Sequence, residues 1–131
     1  MNDIAVQTDE RAAVLAVIDG VYGAWANNDA DALAANFDAD ASSVTPGWPG
    51  AGREAVRARF AAAFAGPWQG SRVVDEPSTV RFLNPDTAIV VGRSAVQLPG
   101  KSETEPPVLG TWVIARPSGQ WLVHAFHSCA A

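Results

Sequence analysis

The sequence predicts an α+β fold in which three N-terminal helices gather on one side of an antiparallel sheet. Apolar residues recur at helical spacing up to about residue 65, then alternate from about residue 71 to the end. Three segments break the alternating part: Leu83-Asn84-Pro85-Asp86, a polar loop from 98 to 107, and Arg116-Pro117-Ser118-Gly119. Each carries turn chemistry, so four strands should follow one another as a meander. Five tryptophans and five phenylalanines stand against one tyrosine and one methionine. So many rings suit the wall of a cavity as well as a core.

The elements follow in order. Residues 1 to 7 show no periodicity and are expected to form a loose arm. Thr8 can cap a first helix over 9 to 27, with Asp9 and Glu10 in its first turn, where negative charge complements the helix dipole. Leu15, Ile18, Tyr22 and Trp25 make its apolar stripe. Asn28-Asp29 ends that helix and caps a short second one, which turns Leu33 and Phe37 inward. Residues 40 to 45 read as a short strand and 47 to 52 as a turn-rich loop holding Trp48. A third helix over 53 to 65 shows Val56, Phe60, Ala63 and Phe64 on one face, and Gly66-Pro67 closes it. The four strands are expected over 71–83, 87–97, 108–116 and 120–129.

Length and composition narrow the function. A chain of 131 residues is expected to be a single domain, 1–131, able to bury a core without disulfides or metals. The apolar runs fall short of a membrane span, and no basic segment precedes an apolar one at the N-terminus. The lone Cys129 suits a reducing compartment, so the expected location is the cytoplasm. Net charge is −5 with scattered arginines, which argues against nucleic acid as a partner. Two histidines and one cysteine without HxxxH or CxxC spacing argue against a metal site. The lack of a glycine-rich phosphate loop after a strand argues against a nucleotide cofactor, so none is expected. Asp29, Asp31, Asp38 and Asp40 lie around helix ends and read as caps and solvated surface.

The order of helix, short helix, short strand, helix and four long strands resembles the nuclear transport factor 2-like fold. The wording resembles its SnoaL-like members, and most of all their SgcJ/EcaC branch, known from actinobacterial natural-product clusters including those for enediynes. The likeness rests on Trp25-x-x-x-Asp29-x-Asp31-Ala32-Leu33, Phe37-x-x-Asp40-Ala41, Pro46-Gly47, Gly52-Arg53-Glu54-Ala55, Gly119-x-Trp121 and Phe126-His127. It implies a cone-shaped sheet curled around the helices, an internal cavity, and a homodimer formed through the outer sheet face. In this fold Trp48 falls at the cavity mouth. Tyr22, Trp25, Phe37, Thr45, Trp48, Phe60, Phe64, Trp68 and Trp112 then become candidate contacts for a hydrophobic or aromatic small molecule.

The chemistry is harder to carry over. Ketosteroid isomerases of this superfamily use an aspartate base where this chain has Thr45, and an oxyanion tyrosine where it has Val21. Tyr22 is one step, about 100°, further round the helix. SnoaL-like cyclases keep an acid/base on a late strand, yet no Asp or Glu follows Glu105. His124 and His127 remain. Alternation sends them to opposite faces, with Trp121, Val123, Ala125, His127 and Cys129 on one and Leu122, His124, Phe126 and Ser128 on the other. The resemblance turns the His127 side inward, which makes His127 the candidate acid/base. Arg93, mid-strand, is the candidate oxyanion partner. The expected activity is cofactor-independent cyclisation, isomerisation or hydration of an aromatic or polyketide-like intermediate of secondary metabolism. The alternative is a non-catalytic ligand carrier with the same pocket.

Overall fold

The structure is a computed structural model and describes residues 3–131. Its elements are α1 (Asp3–Ala26), α2 (Ala30–Ala34), β1 (Phe37–Thr45), β2 (Trp48–Ala51), α3 (Arg53–Phe64), β3 (Arg72–Asn84), β4 (Thr87–Gln97), β5 (Val108–Ala115) and β6 (Leu122–Ala130). Three helices pack against one curved, open sheet with strand order β2-β1-β6-β5-β4-β3. Neighbours pair antiparallel except β1 and β6, which run parallel.

Helix α1 begins at Asp3 rather than after a cap at Thr8, so the expected arm is helical from its third residue; Met1 and Asn2 lie outside the described residues. No proline or glycine interrupts the chain before Gly20, so nothing stops the helix from extending toward the N-terminus. Val14, Val17, Ile18, Val21, Ala24 and Trp25 form its buried stripe. The helix ends as expected. Asn28 takes the left-handed conformation at φ 50°, and its side-chain amide donates to the Trp25 carbonyl at 2.9 Å. Asp29 then caps α2, its carboxylate accepting from the Ala32 N–H at 3.0 Å.

Two segments differ from the sequence reading. Phe37 opens β1 instead of continuing α2, because α2 stops at Ala34 and Phe37 pairs in register with Val123. The expected loop 47–52 contains a strand. Thr45 and Trp48 pair across Pro46-Gly47, with Gly47 at φ 77°. Proline followed by a left-handed glycine is what a tight turn requires, and a proline inside β2 is tolerated because β2 is an edge. Gly50 has a specific job there. A Cβ on it would lie 2.1 Å from the Trp48 ring, so the indole occupies the space left by the missing side chain.

The long strands match expectation to within two residues at each end. One irregularity decides which side chains β6 turns inward. Val113 pairs with Ala125, and the next β5 residue, Ile114, pairs with Val123. His124 is therefore an extra residue, a bulge, and a bulge reverses which residues face inward beyond it. Val123 is fully buried, while Phe126 and Ser128, not His127, face the helices. The core, with Leu33, Val56, Ala88, Val90 and Ile114 alongside the α1 stripe, fills the closed end of the cone. The other end stays open.

Candidate functional site

A cavity of about 380 Å³ lies between the helices and the inner face of the sheet. Trp25 is the centre of its aromatic wall. Its ring centroid lies 4.8 Å from Trp68, 5.1 Å from Phe60 and 5.7 Å from Phe64. The indole N–H donates to the buried Ser71 hydroxyl at 2.8 Å, so the ring is held at its polar end as well as by packing. On the sheet side Trp112 sits 4.3 Å from Phe126 and 5.8 Å from Tyr22. Gly110 makes room for that pair, since a Cβ there would lie 2.7 Å from the Phe126 ring.

Eight of the nine expected contacts line this cavity: Tyr22 and Trp25 from α1, Phe37 and Thr45 from β1, Trp48 from β2, Phe60 from α3, Trp68 from the following turn, and Trp112 from β5. Phe64 does not. It is buried behind Phe60 and Trp25 and supports the wall from the core side.

The two expected catalytic residues lie elsewhere. His127 is exposed on the outer face, in register with Thr111 and Val44, because the His124 bulge turns it outward. Arg93 is exposed too, flanked in register by the exposed Glu76 and Leu109. Inward alternation along β4 falls on Ala88 and Val90 and leads on to the cavity-lining Ser94, which puts Arg93 in the opposite phase.

Other polar groups occupy the cavity. Ser43, Ser94 and Ser128 contribute hydroxyls, and Tyr22 its phenol. Burial pushes the Tyr22 phenol well above its ordinary pKa; a hydrogen bond with Ser94 opposes that shift and the nearby Asp75 charge adds to it. Tyr22 is therefore a neutral hydrogen-bonding group across the working pH range. Asp75 stands opposite Ser94 on β3, and its carboxyl is raised first by burial and then by the charge of Asp19.

The charged groups of the lining are Arg59 and Glu105. Arg59 projects from α3. Its guanidinium lies 4.2 Å from the Trp48 ring centroid, and Nη1 donates to the Thr45 hydroxyl at 2.7 Å. Burial lowers its pKa. Glu105 comes from the β4–β5 loop, where its backbone N–H donates to the Val96 carbonyl at 2.8 Å, and its side chain is exposed at the opening.

Sequence reasoning missed these groups for separate reasons. Arg59 comes three residues after Val56 and just before Phe60, on the flank of the apolar face; that spacing was the available signal. Phe126 and Ser128 were hidden by the bulge. Glu105 lies in a loop without periodicity. The four aspartates offered no ligand set: Asp29 caps α2, Asp38 accepts from the Asp40 N–H at 3.0 Å, and Asp31 lies 3.8 Å from Arg57. No cluster of three metal-ligating side chains occurs among the described residues.

A curved sheet over three helices, open at one end onto a ring-walled cavity, defines the nuclear transport factor 2-like class of small α+β proteins. A domain of unknown function with a cystatin-like fold from Nostoc punctiforme is similar at 26% identity and TM-score 0.87, over 95% of this chain and 78% of that one. A family model described as a SnoaL-like domain matches residues 14–131, and the chain belongs to that family. Two further solved structures share the fold. One is a nuclear transport factor 2-like protein from Novosphingobium aromaticivorans (20% identity, TM-score 0.83, 95% and 83% covered). The other is a ketosteroid isomerase-like protein from Erwinia carotovora atroseptica (15% identity, TM-score 0.72, 89% and 92% covered). No curated relative matches the chain. No helix among the described residues is long and apolar enough to cross a membrane.

Proposed function

We propose that the protein takes up a hydrophobic, aromatic or polyketide-like small molecule in this cavity, as an intermediate of secondary metabolism in the cytoplasm. The observation that carries the reading is the convergence of Tyr22, Trp25, Trp48, Phe60, Trp68 and Trp112 on one concave space large enough for a fused-ring ligand. Apolar walls supply affinity, and the few fixed polar groups supply orientation. The test is titration of a fused-ring probe such as anthraquinone-2-carboxylate while intrinsic tryptophan fluorescence is recorded. Saturable quenching in the native protein is expected, with a clearly weaker apparent affinity in Trp112→Leu. An apparent affinity unchanged by that substitution would show the probe binding elsewhere.

A second reading is a cofactor-independent isomerase, cyclase or hydratase. One observation favours it: a phenol held neutral, Tyr22, and a carboxylate, Glu105, line the same cavity. A neutral donor can hydrogen-bond an oxygen that gains charge, and a carboxylate can move a proton. In this reading Tyr22 and Glu105 carry the chemistry in place of His127 and Arg93. Glu105→Gln would then abolish turnover and leave ligand binding intact, whereas an inert carrier would show no turnover to lose.

The outer sheet face supports a homodimer. Val44, Val74 and Leu109 are large, apolar and exposed, and Ile89 and Val91 lie half-buried in the same phase. Val73, by contrast, lines the cavity. Covering such a face with a second copy is the usual solution. Light scattering at micromolar concentration should give twice the mass of the chain.

A further inference from the structure

The cavity contains a cation that the fold does not neutralise. The guanidinium of Arg59 carries five N–H donors in a flat fork. Its one hydrogen bond among the described residues is to a neutral hydroxyl, Thr45 Oγ1 at 2.7 Å. The central carbon of the fork lies over the Trp48 indole, 4.2 Å from the ring centroid. No carboxylate lies within ion-pair distance of it among the described residues. The carboxylates of Glu54 and Asp31 are engaged by Arg57, and those of Glu10 and Asp86 by Arg116. Glu105, the acid in the same lining, makes no ion pair with it. A guanidinium drawn partly out of water and given only a π-face and a hydroxyl pays for burial without a counter-charge.

We propose that Arg59 receives an oxyanion of the ligand, a carboxylate or an ionised phenol or enol, and so selects anionic aromatic molecules over neutral ones. The inference rests on the cavity-binding reading above and adds the chemical class of its ligand. The geometry favours it on two grounds. Among the described residues only Nη1 of the fork is engaged by a hydrogen bond, so its other N–H donors remain for a planar oxyanion. The Thr45 hydrogen bond and the stack hold the fork in place before a ligand arrives, which lowers the entropic cost of binding. Burial also depresses the pKa of Arg59, the direction expected of a cation that lacks a counter-charge.

The test compares two probes of the same shape, anthraquinone-2-carboxylate and anthraquinone-2-carboxamide, by calorimetry on the native protein and on Arg59→Gln and Arg59→Lys. The native protein should prefer the carboxylate by roughly tenfold to a hundredfold, the range of a charge-assisted hydrogen-bonded pair. Arg59→Gln should bring the carboxylate down to the carboxamide and leave carboxamide binding within about threefold, at an unchanged melting temperature. Arg59→Lys should restore part of the preference, because charge returns without the fork. Equal binding of both probes by the native protein, or a preference that survives Arg59→Gln, would overturn the inference and leave the cavity reading standing. Binding of neither probe would overturn both.

Discussion

Among the described residues two arginines lie over a tryptophan, and they do opposite things. Arg116 sits 4.6 Å from the Trp121 ring centroid and pairs with Glu10 at 2.8 Å and Asp86 at 2.9 Å. It joins the third turn of α1 to the β3–β4 turn, and both partners, Asp86 first, raise its pKa. Arg59 sits 4.2 Å from Trp48, pairs with no carboxylate among the described residues, and has its pKa lowered by burial. The same stacked motif is closed at one end of the sheet and open at the other. The difference shows where to look for function: a cation that the fold has already neutralised is structural, and one left without a counter-charge on a cavity wall is available to a ligand.

The largest effect is expected at the wall behind Arg59. Trp25→Ala removes the ring on which Phe60, Phe64 and Trp68 converge, and leaves Ser71 without its donor. A loss of about 3–5 kcal/mol in unfolding free energy is expected, measured by denaturant melting. A loss below about 1 kcal/mol would mean that the cavity wall is not part of the core.

Next comes the platform. Gly50→Ala forces its methyl into the Trp48 indole and must displace the ring from beneath Arg59. A cost of about 1–3 kcal/mol is expected, with a shift in tryptophan emission and weaker binding of an anionic probe. An unchanged emission spectrum would show that Trp48 does not occupy that space.

The smallest effect sharpens the contrast directly. Arg116→Gln should lower the melting temperature, and by less at high salt, because it removes a half-buried pair with Glu10 and a more exposed one with Asp86. Arg59→Gln should leave it unchanged or raise it slightly, because a partly desolvated charge leaves the fold. Equal losses in both would make Arg59 a structural residue like Arg116.

Most of the scaffold was legible in the sequence. The change from helical to alternating spacing near residue 70, the Asn28-Asp29 stop and the Gly66-Pro67 close all act through neighbours a few residues apart. Local chemistry therefore determined α1 to α3 and the long strands β3 to β6. The aromatic lining was legible for the same reason: Tyr22, Trp25, Phe60 and Trp112 lie on faces whose phase is set by their own helix or strand.

Tertiary structure decided the chemistry of the site. Strand phase is a local property only while the ladder is regular, and the extra residue at His124 exists only because β5 advances one residue while β6 advances two. That single slip sent His127 to the outer face and brought Phe126 and Ser128 inward. Trp48, Thr45 and Arg59 come from an edge strand, its hairpin partner and a helix. Whether an arginine finds a carboxylate depends on which distant elements meet, and no spacing along the chain encodes that meeting. Periodicity therefore predicted the walls of the cavity, and only the packing of α3 against the β1–β2 hairpin put an unneutralised charge in it.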